Sequence, residues 1–212
     1  GLEYVHTLAT WTSDTELQQF QAQFDEFNSY ADGTNERVTD MMDSYAENIM
    51  EHTQQVTVIA HALALVKNRI YGGSADVEKT VLYALYHETG EVITGDLPTP
   101  IKYFNEEILG AYKDLESKAE KKLLSMLPEE LKADYEACVL PDTESGEYKI
   151  AKAADKIAAY LKCVEEVKSG NSEFKKAKSA TLKAIRALDM EEVRYFMENI
   201  VPAYELTLDE LD

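Results

Sequence analysis

The chain has 212 residues and sets 40 Asp plus Glu against 21 Lys plus Arg, a formal net charge of −19. That length suits one domain or two small ones, and 45% hydrophobic residues can form a sizeable core, which excludes a disordered acidic tail. So negative a chain repels phosphate backbones and anionic headgroups, so neither nucleic acid nor a membrane surface is an expected partner; a small anionic substrate stays open, because a metal or a local cation can dominate a pocket.

Residues 1–34 differ in character from the remainder of the chain. They hold His6 and Trp11, and Phe20, Phe24 and Phe27 stand at helical spacing, so the segment reads as a helix packed on the domain or as a loosely held arm. No basic n-region and no continuous apolar run opens the sequence, so no secretory signal is expected and the cytoplasm is the default location. Apolar residues recurring at three and four predict helices over 15–30, 36–50, 75–90, 103–127, 147–169, 172–188 and 190–199. Val56, Ile59, Ala60, Leu63 and Val66 form a further stripe of this kind, too short for the roughly 20 residues of a membrane span. Breakers separate these stretches: Asp32-Gly33, Gly72-Gly73, Pro98-Thr99-Pro100, Pro128, Pro141, Ser145-Gly146, Gly170-Asn171 and Pro202. Ser74 and Asn171 are candidate N-caps. Strand patterns are scarce and no repeat is visible. The expected architecture is all-α, with an N-terminal extension over 1–34 and one helical domain over 35–212. Cys138 and Cys163 are too few for a disulfide framework and read as ordinary thiols.

Four histidines are available for chemistry. His6 has no evident partner. His52 opens a helix, and His61, nine residues on, falls on the opposite face and reads as a hydrogen-bonded core histidine. His87 lies in a polar-dense stretch running through Glu88, Glu91 and Asp96, where helical spacing puts His87 and Glu91 on one face. Asp155 sits between Ala151 and Ala158 on the small, apolar side of its helix, where a carboxylate is costly unless a cation compensates it. Taken singly, Glu88, Glu91 or Asp155 reads first as a solvated position in an acidic chain. Spacing alone leaves a metal site and an ordinary surface both open.

Read together, Glu51-His52-Thr53, His87-Glu88 and Ala154-Asp155 follow the H…HD…D order, and the chain resembles the HD-domain metal-dependent phosphohydrolases. The stretch from His87 to Asn105, with Thr94-Gly95-Asp96-Leu97-Pro98-Thr99-Pro100, is similar to the bacterial 5′-deoxynucleotidase branch. So are Tyr160 to Glu166, Gly170-Asn171-Ser172-Glu173-Phe174 and the tail from Val201 to Glu210. The resemblance covers about residue 35 to the C-terminus.

It implies an all-α HD helical bundle, commonly a homodimer, that holds one divalent transition metal per site. It also implies release of phosphate from deoxyribonucleoside 5′-monophosphates by a metal-activated water, and the departure at Val38 widens the expected substrates to (deoxy)ribonucleoside 5′-monophosphates. By position, His52, His87, Glu88 and Asp155 would be metal ligands, Glu91 and Asp96 catalytic groups, and Arg37 the substrate-phosphate ligand. Two imidazoles with two carboxylates suit Mn²⁺, Co²⁺, Fe²⁺ or Zn²⁺ better than a Ca²⁺ or Mg²⁺ cage. The sequence departs from the family pattern at two positions. Glu88 replaces the family aspartate and sets the carboxylate roughly 1.5 Å further out. Val38 replaces a tryptophan and leaves room for a ribose 2′-hydroxyl. The alternative is an HD scaffold that binds a nucleotide or protein partner without turnover.

Overall fold

The computed structural model describes residues 49–95 and 105–205. The expected helix over 15–30, all but the last two residues of that over 36–50, the extension over 1–34, Arg37, Val38 and Asp96 therefore lie outside the described residues. Within them the chain is helical and holds no strand. In order these are α1 (Ile49–Arg69), α2 (Val77–Leu85), α3 (Glu91–Thr94), α4 (Glu106–Ser125), α5 (Glu129–Val139), α6 (Gly146–Lys168), α7 (Phe174–Arg186), α8 (Glu191–Asn199) and a 3₁₀ turn (Val201–Glu205). None is long and apolar enough to cross a membrane.

Helix α6 forms the spine. Its start is capped by Ser145, whose hydroxyl accepts from the Tyr148 amide at 3.2 Å. Small residues on two of its sides, Ala151, Ala153, Ala154 and Ala158, are buried and let neighbouring helices approach closely. It packs against α1, α2 and α7. From α1 the stripe Val56, Ile59, Ala60, Leu63 meets it, and Ile150, Ile157 and Leu161 complete a core in which these side chains are at most 1% exposed. Helix α8 closes the far side through Val193 and Phe196.

Helix α2 starts later than expected. The turn after α1 bends at Gly72, whose φ of +69° favours glycine. The Asn68 side chain then accepts from the Ala75 amide and donates to the Ala75 carbonyl, both at 2.8 Å. Only at Asp76 is the chain free to turn into a helix, so Asp76 is the N-cap, accepting from the Lys79 amide at 3.0 Å, and Ser74 is not. Asn171 likewise is not the cap of α7; its side chain accepts from the Glu173 amide one residue before that helix begins. The sequence pattern does not predict helix α5. That helix buries Val139 alone, so no apolar stripe marks it.

Candidate metal centre

Three elements bring the candidate ligands together. His52 lies in the first turn of α1, Asp155 in the middle of α6, and His87-Glu88 in the turn after α2. That turn corrects the helix-face reading of the sequence. Helix α2 stops at Leu85, and i+3 bonds carry the chain onward: Thr89 N to Tyr86 O at 3.1 Å and Glu91 N to Glu88 O at 3.0 Å. His87 and Glu91 are therefore not stacked on one helix.

Gly90 lets α4 come close to this turn. A Cβ placed there would stand 3.1 Å from the Glu116 carbonyl oxygen of α4, a backbone atom that cannot swing aside. At the end of α3, Gly95 has φ +73°, and its carbonyl accepts from the Tyr112 hydroxyl at 2.9 Å. Helix α4 thus braces the segment on both sides of Glu91, whose own residue surface is 5% exposed.

The four side chains converge. His52 Nε2 lies 3.4 Å from Glu88 Oε1 and 3.4 Å from Asp155 Oδ1. His87 Nε2 lies 3.6 Å from Glu88 Oε1 and 3.9 Å from Asp155 Oδ1. The rings of His52 and His87 tilt toward each other with centroids 5.6 Å apart. All four donor atoms fall within 4.8 Å of one another. Donors about 2.1 Å from one shared ion would stand about 3.4 Å apart in a tetrahedron and about 3.0 Å apart as octahedral neighbours. The two His52–carboxylate distances of 3.4 Å already match the tetrahedral spacing, and the wider His87 pairs would have to draw in around an ion.

His87 provides the sharpest test of fit. Its Nδ1 is 2.6 Å from the Ala84 carbonyl oxygen, which places the ring proton there. Burial pushes the imidazole down to about 4, against the pull of Asp155, so the ring is neutral at ordinary pH. Nε2 therefore carries a lone pair, is buried, and makes no hydrogen bond while two carboxylate oxygens lie within 4 Å. A lone pair facing carboxylates is unfavourable until a cation stands between them. Asp155 is tuned in the complementary sense. Burial works to raise its carboxyl, but the His52 hydrogen bond and the Lys152 charge outweigh it and hold the group well below the ordinary range.

His52, His87, Glu88 and Asp155 are thus brought together, and Glu91 is buried three residues beyond Glu88. His61 departs from expectation: it is exposed on the opposite side of α1, because the stripe through Ala60 and Leu63 alone turns inward. Sequence reasoning missed Lys152, whose Nζ stands 3.4 Å from Asp155 Oδ2. The signal was present in the three-residue spacing of Lys152 and Asp155 on one helix.

Comparison with known proteins points the same way. The family model of YfbR-like 5′-deoxynucleotidases matches residues 34–204. The chain is 50% identical over 167 residues to a 5′-deoxynucleotidase of Vibrio cholerae, covering 78% of this chain and 86% of that protein. It is 47% identical over 175 residues to 5′-deoxynucleotidase YfbR of Shigella boydii, covering 81% and 86%. Among solved structures it is similar to an HD-domain phosphohydrolase from Listeria innocua, with a TM-score of 0.66, 26% identity, and coverage of 74% of this chain and 77% of the other.

Proposed function

The chain belongs to the YfbR-like 5′-deoxynucleotidase family, and from that premise we propose that it hydrolyses deoxyribo- and ribonucleoside 5′-monophosphates to the nucleoside and phosphate. It is a metal-dependent nucleotide phosphohydrolase with an HD-type all-α fold. The observation that carries the reading is the buried His87 Nε2, presented with its lone pair among His52, Glu88 and Asp155.

In this reading those four residues hold one divalent ion, and their mixed nitrogen and oxygen character suits manganese, cobalt, iron or zinc. A bound ion of that kind lowers the pKa of a coordinated water and polarises a phosphate oxygen. Glu91, buried at the start of α3, accepts the proton of the attacking water, and Asp96 holds the substrate beside it. Arg37 takes phosphate oxygens through its two-pronged guanidinium. Val38 leaves space for a 2′-hydroxyl, which is why the proposed substrates include ribonucleotides. The catalytic domain spans 35–212 behind an extension over 1–34. A homodimer in the cytoplasm, acting on free nucleotides and not on nucleic acid, completes the proposal.

A non-catalytic scaffold draws no support from Glu88. Its longer side chain reaches both histidines at 3.4 and 3.6 Å, the same range as Asp155. The test is phosphate release from a panel of deoxyribo- and ribonucleoside 5′-monophosphates with manganese, cobalt or chelator. Metal-dependent release from both series is expected. Release confined to the deoxy series would remove the ribonucleotide part, and silence across the panel would overturn the reading.

A further inference from the structure

Helix α6 presents a fifth group to the centre. Lys152 precedes Asp155 by three residues, so the two side chains stack on one face of the helix. Asp155 is shared between two neighbours: Oδ1 faces the histidines, and Oδ2 stands 3.4 Å from Lys152 Nζ. The Lys152 side chain is 43% exposed, against 5% for His87 and 17% for Glu88. Lys152 is therefore the most exposed of the charged groups that meet at this cluster.

Charge balance gives that position a use. Glu88 and Asp155 together neutralise a divalent ion, and Glu91 adds a third carboxylate nearby in sequence. A phosphate monoester brings between one and two further negative charges near neutral pH. In a chain of net charge −19 such a ligand needs cations beside the ion. Lys152 adds one to the proposed Arg37, from its own helix, and its charge already reaches across to α4. There burial and Glu116 raise the Glu120 carboxyl, and Lys121 and then Lys152 offset only part of that rise.

Resting on the phosphohydrolase reading, we propose that Lys152 is a substrate-binding residue whose ammonium receives a non-bridging oxygen of the nucleotide phosphate. The flexible four-carbon stem allows the ammonium to pivot from Asp155 Oδ2 to that oxygen. An ion pair that only steadies Asp155 would have no such consequence for phosphate.

The experiment compares wild type, Lys152→Met, Lys152→Gln and Lys152→Arg, each loaded with manganese. It measures bound manganese, the affinity for inorganic phosphate by calorimetry, and kcat and KM for deoxyadenosine 5′-monophosphate. Both charge-removing variants are expected to keep their manganese while phosphate affinity weakens at least about tenfold and KM rises in parallel. The arginine variant is expected to recover most of both. Wild-type phosphate affinity in the methionine and glutamine variants would overturn the proposal. So would loss of manganese in both, which would make Lys152 a support for Asp155 alone. A wild type that neither binds phosphate nor hydrolyses any nucleotide would instead sink the phosphohydrolase reading, and this proposal with it.

Discussion

At His87 two demands meet in one ring. The Ala84 carbonyl fixes the proton on Nδ1, and burial keeps the ring neutral down to about pH 4. In the metal-free protein this makes His87 a source of acid sensitivity. The unfolded chain takes up the proton near pH 6.5 and the folded chain only near 4, so stability falls as pH drops through that window and is regained above it. The contribution is on the order of 3 kcal/mol. Asp155, held low, contributes its full stabilisation at neutral pH and loses it progressively as pH falls below the ordinary carboxylate range. Urea unfolding of chelator-treated wild type and His87→Gln checks the histidine. The stability difference between the two should shift by that amount from pH 7 to pH 4, and a constant difference would refute the assignment. For Asp155→Ala, loss of both bound metal and turnover is expected, because the substitution removes one of four donors and leaves His52 and His87 facing each other. Full activity in that variant would sink the proposed ligand set.

Among the elements, the turn over 86–90 decides where the chemistry sits. That His52, His87, Glu88 and Asp155 belong to one motif was legible from their order in the sequence, but the way His87 and Glu88 converge was not. A helix is the natural expectation for 75–90; it ends at Leu85, and at Gly90 the backbone of α4 stands 3.1 Å from where a Cβ would be. Gly90→Ala should therefore cost about 1–2 kcal/mol of stability and weaken metal binding several-fold, since the Glu116 carbonyl cannot yield to a Cβ. Thermal unfolding and manganese titration of that variant would show it. An equal loss of stability with unchanged metal affinity would mean that the turn relaxes without moving His87 and Glu88. Helix α5 was illegible for the opposite reason. It lies on the surface with Val139 as its buried residue, so there was little hydrophobic period to read.

For the molecule as a whole, the core is built on α6, and one buried charge ties its outer helices. Glu192 on α8 is 3% exposed and receives Lys67 Nζ from α1 at 2.7 Å. Lys67 is itself 34% exposed, so removing it costs less than breaking a fully buried pair, and Lys67→Met should lower stability by about 1–2 kcal/mol. The double variant Lys67→Met with Glu192→Leu should recover most of that loss. Denaturant midpoints of the three proteins distinguish this from a weak surface pair, for which both single and double changes would stay within about 0.5 kcal/mol.

The sequence by itself determined the helical class, the inward stripe through Val56, Ile59, Ala60 and Leu63, and the identities of His52, His87, Glu88 and Asp155. These depend on local periodicity and on motif order, which are written along the chain. Tertiary structure alone decided that donors 35 and 68 residues apart, reckoned from His52 to His87 and from His87 to Asp155, meet within 4.8 Å. It also decided that His61 faces outward and that Lys152 stands against Asp155. Each of these depends on how α1, α2 and α6 pack together. Packing follows from the combined shape of several elements, and no single stretch of sequence contains it.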